Sequence, residues 1–243
     1  RSLARMNNRK YGSLTSSSSE PSLSRMSKIR QVVAFALVLL LPACASFQTA
    51  GQVQAGRRAL LVNDPEAALP YFLEAAKRDP DYVYISEDFR EGVWTYVGRT
   101  QYATKRYQDA RQSLEHALAN DRDDNLARLY YGLTLVRLGD STRGLKEIES
   151  AMQGIHDWLE YMERTRPFQA FWDPLREIRK TIENDLDKTP GKDLGRENLI
   201  ADAEWLGNKM ETEIEKVRQD ERRQYERDFD RRRGPSVGIG IGF

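Results

Sequence analysis

One cysteine, Cys44, stands in 243 residues, so the chain can close no internal disulfide and build no multi-cysteine metal site. Histidine is nearly as scarce. His116 and His156 lie far apart, outside any ligand spacing such as H-E-x-x-H, and read as exposed helix surface rather than as a metal or general-base pair. No Gly-rich phosphate loop, nucleophile elbow or zinc motif is present, and the many Asp and Glu residues fall on helix faces where solvation accounts for them. The expectation is a protein without catalytic residues, cofactor or metal. An excess of one charge is also missing, with 38 basic against 37 acidic residues. The first 43 residues hold seven Lys/Arg and one acid, Glu20, and the remainder carries a net charge of about −5. Such a body has no general basic footprint for nucleic acid.

Long apolar runs are lacking too. Val32 to Leu41 is ten residues, which as a helix would span about 15 Å against a hydrocarbon core of about 30 Å. A membrane-spanning anchor is therefore disfavoured. Residues 1–25 are polar, basic and serine-rich, with Ser16 to Ser19 in a row, and read as a disordered upstream extension. From Met26 the pattern changes to a short basic region (Lys28, Arg30), the apolar run, and small residues before Cys44. That is the layout of a secretory signal peptide over 26–43. Its end, Leu41-Pro42-Ala43-Cys44, resembles the lipobox of bacterial lipoproteins, with Pro42 a departure from the commonest residue. The resemblance implies cleavage before Cys44, acylation of that cysteine, and a short lipidated linker over 44–48. Ala45, where Asp would retain a lipoprotein at the inner membrane, resembles the pattern that sorts to the outer membrane and so implies a periplasm-facing protein. An ordinary signal peptide that happens to contain a cysteine is the alternative.

Behind the linker the chain repeats itself. Gly98 recurs as Gly132 and Ala117 as Ala151, both 34 residues on, and a third copy at an offset of 42 places Gly56, Ala68, Phe72 and Ala75 on Gly98, Ala110, Leu114 and Ala117. The eight additional residues of that offset fall around Val83 to Arg90, where Ser86 is placed to cap a lengthened first helix. Small residues at fixed positions in such a period are the sign of stacked helix-turn-helix units. The copies resemble the tetratricopeptide repeat family. The middle one reads Trp94, Val97, Gly98, Tyr102, Tyr107, Ala110, Leu114 and Ala117; the first supplies the stop residue Pro80, and the last has Arg128 in place of the tryptophan. Three units over residues 49–152 follow. Pro70, inside a helix of the first unit, predicts a kink or fraying there. In this family ligands lie in a concave groove lined by the first helix of each unit. The phase carries that side onto Arg57, Thr95, Arg99, Tyr102, Leu126, Leu133, Val136 and Arg137, a mixture suited to an extended peptide or a carboxylate-bearing segment. Either a protein or peptide partner or later helices of the same chain would occupy it.

Beyond Met152 the period is lost. Ile155, Trp158, Leu159 and Met162 predict another helix ending before Pro167, and Asp173-Pro174 predicts the start of one with Leu175, Ile178, Ile182 and Leu186 on one face, closed by Thr189-Pro190-Gly191. These capping helices occupy 153–190; Phe168, Phe171 and Trp172 between them read as buried packing. In the next segment, 191–233, a long charged helix from about Glu197 to Arg233 carries the stripe Leu199, Leu206, Met210, Ile214 and Val217, continued sparsely by Tyr225 and Phe229. Residues 234–243 alternate Gly with aliphatics, a strand able to join a partner's sheet edge or a flexible end. The predicted architecture is all-α: a short tetratricopeptide-type solenoid, capping helices and one long terminal helix. The predicted function is a lipid-anchored scaffold or adaptor of the bacterial envelope, with a structural subunit of a secretion or polysaccharide-export machine as the alternative. A Cys44→Ala variant is expected in the soluble fraction of lysed cells; its retention on membranes would refute the lipid anchor.

Overall fold

The computed structural model describes residues 47–86, 88–165, 172–187 and 193–233. The extension, the signal peptide, Cys44 itself, Phe168, Phe171, the Thr189-Pro190-Gly191 break and the Gly-rich tail lie outside the described residues. What is described is an all-α chain with one small two-stranded sheet. Eight helices are seen among the described residues: α1 (47–61), α2 (Pro65–Arg78), α3 (Val93–Ala103), α4 (Tyr107–Asn120), α5 (Asn125–Arg137), α6 (Ser141–Thr165), α7 (Glu177–Leu186) and α8 (Asp193–Arg233). None is long and apolar enough to cross a membrane.

From α2 to α6 each helix packs on the next in sequence, and small residues decide how closely. A Cβ added to Gly56 would lie under 3.0 Å from the Phe72 ring; at Gly98 it would meet Leu114, and at Gly132 it would meet Ile148. The partner is sixteen positions on in all three cases, so one close approach between helices is made three times over. The third differs in that Gly144 stands opposite Gly132 and backbone meets backbone. Phe72, Leu114 and Ile148, each fully buried, fill the space that these glycines leave. Local signals set the helix starts: the Asp64 carboxylate accepts from Ala67 N at 3.0 Å ahead of Pro65, and Asp124 accepts from Ala127 N at 2.8 Å.

Four expectations are corrected. The additional residues before the middle unit do not lengthen a helix; they form a hairpin of β1 (Val83–Ser86) and β2 (Phe89–Gly92), with Val83 opposite Gly92 and Ser86 opposite Phe89. Val-Tyr-Ile-Ser has a period of two, exposed at Val83 and Ile85, buried at Tyr84 and Ser86, and β-branched and aromatic residues favour the strand. Nor does Pro70 fray α2, which runs unbroken through it. It sits on the exposed face, and the carbonyl it leaves without an amide is that of exposed Glu66, within reach of solvent. The third unit's second helix and the first capping helix are one helix, α6, because the buried stripe Ile148, Ala151, Met152, Ile155, Leu159 and Met162 runs on through Gly154 with no proline to stop it. Finally, α7 begins at Glu177 rather than at Pro174. Asp173 still serves as the cap, its carboxylate accepting from Ile178 N at 3.0 Å and Arg179 N at 3.1 Å, but it does so across a turn with Asp173 and Arg176 at positive φ, which leaves Leu175 72% exposed.

The hairpin is held by aromatics. Phe89 lies 5.6 Å from both Trp158 of α6 and Trp172 before α7, and those two indoles meet edge to face at 4.9 Å. Helix α8, 41 residues and so roughly 60 Å long, buries Leu206, Met210, Ile214 and Val217 completely against α5, α6, α7 and β1. Farther along, Tyr225 and Phe229 are exposed and stack on each other at 6.5 Å.

Two glycines make opposite tests of this packing. Gly132→Ala is expected to destabilise by about 1–3 kcal/mol, since backbone must move to admit the methyl. Gly51→Ala in α1, with nothing within 4 Å of the added carbon, is expected to stabilise by about 0.5–1 kcal/mol. Urea midpoints at equal slope measure both.

Candidate functional site

The eight groove residues sit on α1, α3 and α5, and α8 of the same chain lies across them. Glu211 of α8 takes a hydrogen bond from Arg57 Nε at 2.9 Å with one carboxylate oxygen and one from Arg99 Nη2 with the other. Seven residues earlier on α8, Glu204 accepts from Tyr102 OH and, at 2.6 Å, from Arg137 Nη2, while Arg137 Nε donates to the Tyr102 hydroxyl at 3.2 Å. A seven-residue separation is about two helical turns, so both carboxylates leave one face of α8 and meet α1, α3 and α5 in register. Arg57 is 1% exposed and Arg99 3%. Neither is available to an incoming ligand, and the reading of an open peptide groove gives way to one filled by the chain itself.

The structure brings four of the eight together in pairs: Arg57 with Arg99 through Glu211, and Tyr102 with Arg137 through Glu204. Thr95 turns elsewhere, its hydroxyl donating to Asp124 at 2.6 Å. Leu126 and Leu133 are core, Val136 is half-buried against it, and Arg137 alone keeps its side chain 43% exposed. Reasoning from the repeats missed the acidic partners. Glu204 and Glu211 flank the apolar stripe of α8 two turns apart, a signal that was present but indistinguishable from an ordinary solvated edge.

Burying two guanidinium groups costs several kcal/mol each unless their charge is matched. Matching comes from three sides. Glu211 supplies charge; Glu91, entirely buried on β2, places an oxygen 3.0 Å from Arg99 Nε; and ring faces supply the rest, Arg57 lying 4.3 Å over Tyr84 and Arg99 4.5 Å over Tyr96. Tyr96 in turn stacks on Phe72 at 4.8 Å. The hairpin that interrupts the repeat period therefore carries Tyr84 and Glu91 into the network. Burial pushes the Glu91 carboxyl from its ordinary 4.5 up to about 8, opposed by Arg99 and reinforced by Glu211. Burial likewise raises the Tyr96 hydroxyl.

Two polar cavities flank the seam with α8. One, of about 300 Å³, has Arg99, Tyr130, Asn208 and Glu211 in its walls; the other, of about 250 Å³, has Tyr102, Lys105, Arg137 and Glu204. Among the described residues, only His156, Glu160 and Glu183 bring three potential metal ligands within 4.8 Å of one another. Arg176 already occupies that space, 2.6 Å from Glu160 and 3.7 Å from Glu183, with Arg179 3.2 Å from Glu160. Guanidinium charge so placed disfavours a divalent cation. His116, the other histidine, lies against Trp94 with ring centroids 4.6 Å apart and the planes tilted by 44°.

Compared with protein-family models, with curated proteins and with solved structures, the chain matches none.

Because folded Glu91 holds its proton more tightly than the unfolded chain does, its contribution is favourable below about pH 4.5 and is lost as pH rises toward about 8. Thermal unfolding between pH 5 and 8 is expected to show a declining stability that Glu91→Gln flattens; a parallel decline in the variant would assign the effect to other groups.

Proposed function

We propose that this chain is a lipid-anchored scaffold of a bacterial cell envelope, built on three tetratricopeptide-type helix pairs, which gathers protein partners and does not transform a substrate. The observation that carries this reading is the triple recurrence of the glycine contact at Gly56, Gly98 and Gly132 with its partner always sixteen residues on. A stack of helix pairs made that way presents extended surface and puts its small and large signature residues into packing. The Leu41-Pro42-Ala43-Cys44 sequence supports acylation at Cys44, and Ala45 supports an outer-membrane, periplasm-facing location. Two or more acyl chains, each contributing about 0.8 kcal/mol per buried methylene, would hold such a protein stably on a bilayer.

With α8 lying in the groove, partner contacts fall on the remaining surfaces. One observation favours the second reading, a structural subunit of a secretion or polysaccharide-export machine that contacts its neighbours through the terminal helix. Beyond Val217 the apolar stripe of α8 leaves the core, and Tyr225 is 73% exposed.

A photo-crosslinking amino acid placed at Tyr225, at exposed Tyr71 or at buried Leu133 in intact envelopes tests both readings. The scaffold reading expects adducts from at least one exposed position and none from Leu133. Adducts confined to Tyr225 would favour the subunit reading. Absence of adducts from every position, together with hydrolytic or transfer activity of the purified chain, would overturn both.

A further inference from the structure

The cavity of about 300 Å³ beside α8 is walled by Leu60 and Leu61 at the end of α1, Pro65 at the start of α2, Arg99 of α3, Tyr130 of α5, and Gly207, Asn208 and Glu211 of α8. Tyr130 is the unusual member. Its side chain is only 6% exposed, and among the described residues its hydroxyl makes no hydrogen bond. Unlike the hydroxyl of Tyr96, which is buried without a partner, it keeps contact with solvent. It is directed at Gly207 in the cavity wall. A Cβ added there would collide with the hydroxyl oxygen, so glycine at that position leaves it room.

A hydroxyl on so buried a side chain normally has a partner, and this one can either give a hydrogen bond or receive one. The surrounding charge decides which. Glu211, the one acid in the walls, has both oxygens engaged, by Arg57 and by Arg99. Behind it burial holds Glu91 protonated up to about pH 8. Two guanidinium groups then face one carboxylate, and the network carries one positive charge in excess. In a region of low dielectric that excess orients the hydroxyl to donate and attracts a monoanion. Asn63, Asn208 and Thr212, all exposed, add neutral polar groups at the rim. Leu60, Leu61 and Pro65 make part of the lining apolar, which suits a short hydrocarbon chain and leaves a phosphate dianion poorly matched.

We propose that this cavity binds a small organic carboxylate, whose charged end accepts hydrogen bonds from the Tyr130 hydroxyl and Asn208 Nδ2 and whose short apolar chain lies against Leu60, Leu61 and Pro65. Arg99 acts from within the wall by its charge alone, since Glu91 and Glu211 hold its guanidinium. Because α8 supplies Gly207 and Asn208, occupancy of the cavity adds to the docking of that helix.

The test titrates the full chain with hexanoate, with its neutral isostere hexanamide and with inorganic phosphate, followed by ligand-detected NMR. Hexanoate is expected to bind saturably, and the other two about tenfold more weakly. Tyr130→Phe is expected to leave the urea midpoint unchanged, because the hydroxyl holds nothing in the fold, and to weaken hexanoate binding about tenfold. Asn208→Asp, which places a negative charge on the exposed rim, is expected to weaken it by a similar factor and decides the matter should Tyr130→Phe unfold early. Equal binding of hexanoate and hexanamide, preference for phosphate, absence of saturable binding, or unchanged affinity in the folded variants would overturn the proposal. None of these outcomes depends on acylation or envelope crosslinks, so the cavity can fail while the scaffold reading stands.

Discussion

Glu211 between Arg57 and Arg99 is the contact on which the arrangement of this chain depends. It joins α1, α3 and α8 at a point where all three side chains are nearly without solvent. Two cations so placed repel each other and have lost their hydration, and a carboxylate reaching both offsets part of that penalty in one geometry only. The network therefore specifies where α8 lies along the groove more than it adds to net stability. Apolar burial by Leu206, Met210, Ile214 and Val217 supplies adhesion, which is non-directional. Glu204 against Tyr102 and Arg137, two turns away, makes the same register unique.

The glycine contacts and the charge network divide the labour. Gly56, Gly98 and Gly132 let successive helices approach until Phe72, Leu114 and Ile148 fill the seams. That stack leaves a side lined with arginine and tyrosine, against which α8 and the hairpin residues Tyr84 and Glu91 pack. The 4.3 Å contact of Arg57 with the Tyr84 ring and the burial of Glu91 show that the hairpin belongs to the core of the stack as well as to its surface. Its other face carries Phe89 to the two indoles, Trp158 and Trp172. The hairpin thus contributes both to the buried network and to the aromatic brace.

Several features were legible in the residues. The 34-residue spacing of Gly98 and Gly132 predicted helices whose contacts recur, and the stripe from Leu199 to Val217 predicted the long helix. The start of α7 was not legible, because Asp173 caps through a turn at positive φ that Asp-Pro in the sequence does not announce. The union of two predicted helices into α6 was missed because the repeat period ends at Met152 while the helical period does not. The hairpin was missed because a four-residue strand buries too few side chains to outweigh the expectation set by helices on either side. For the groove, the sequence named the arginines but not what they face.

The sequence by itself determined the class of the fold, the three-fold recurrence of small residues and the positions that line the concave side, because helical period and side-chain size are local properties written one residue at a time. Only the tertiary structure decided what fills the groove and where an accessible cleft remains. Glu211 lies 112 residues from Arg99 and 154 from Arg57, and no local pattern records which buried charges meet across such distances. Electrostatic matching in a region without water is set by three-dimensional position, and the same carboxylate on an exposed face would be worth little.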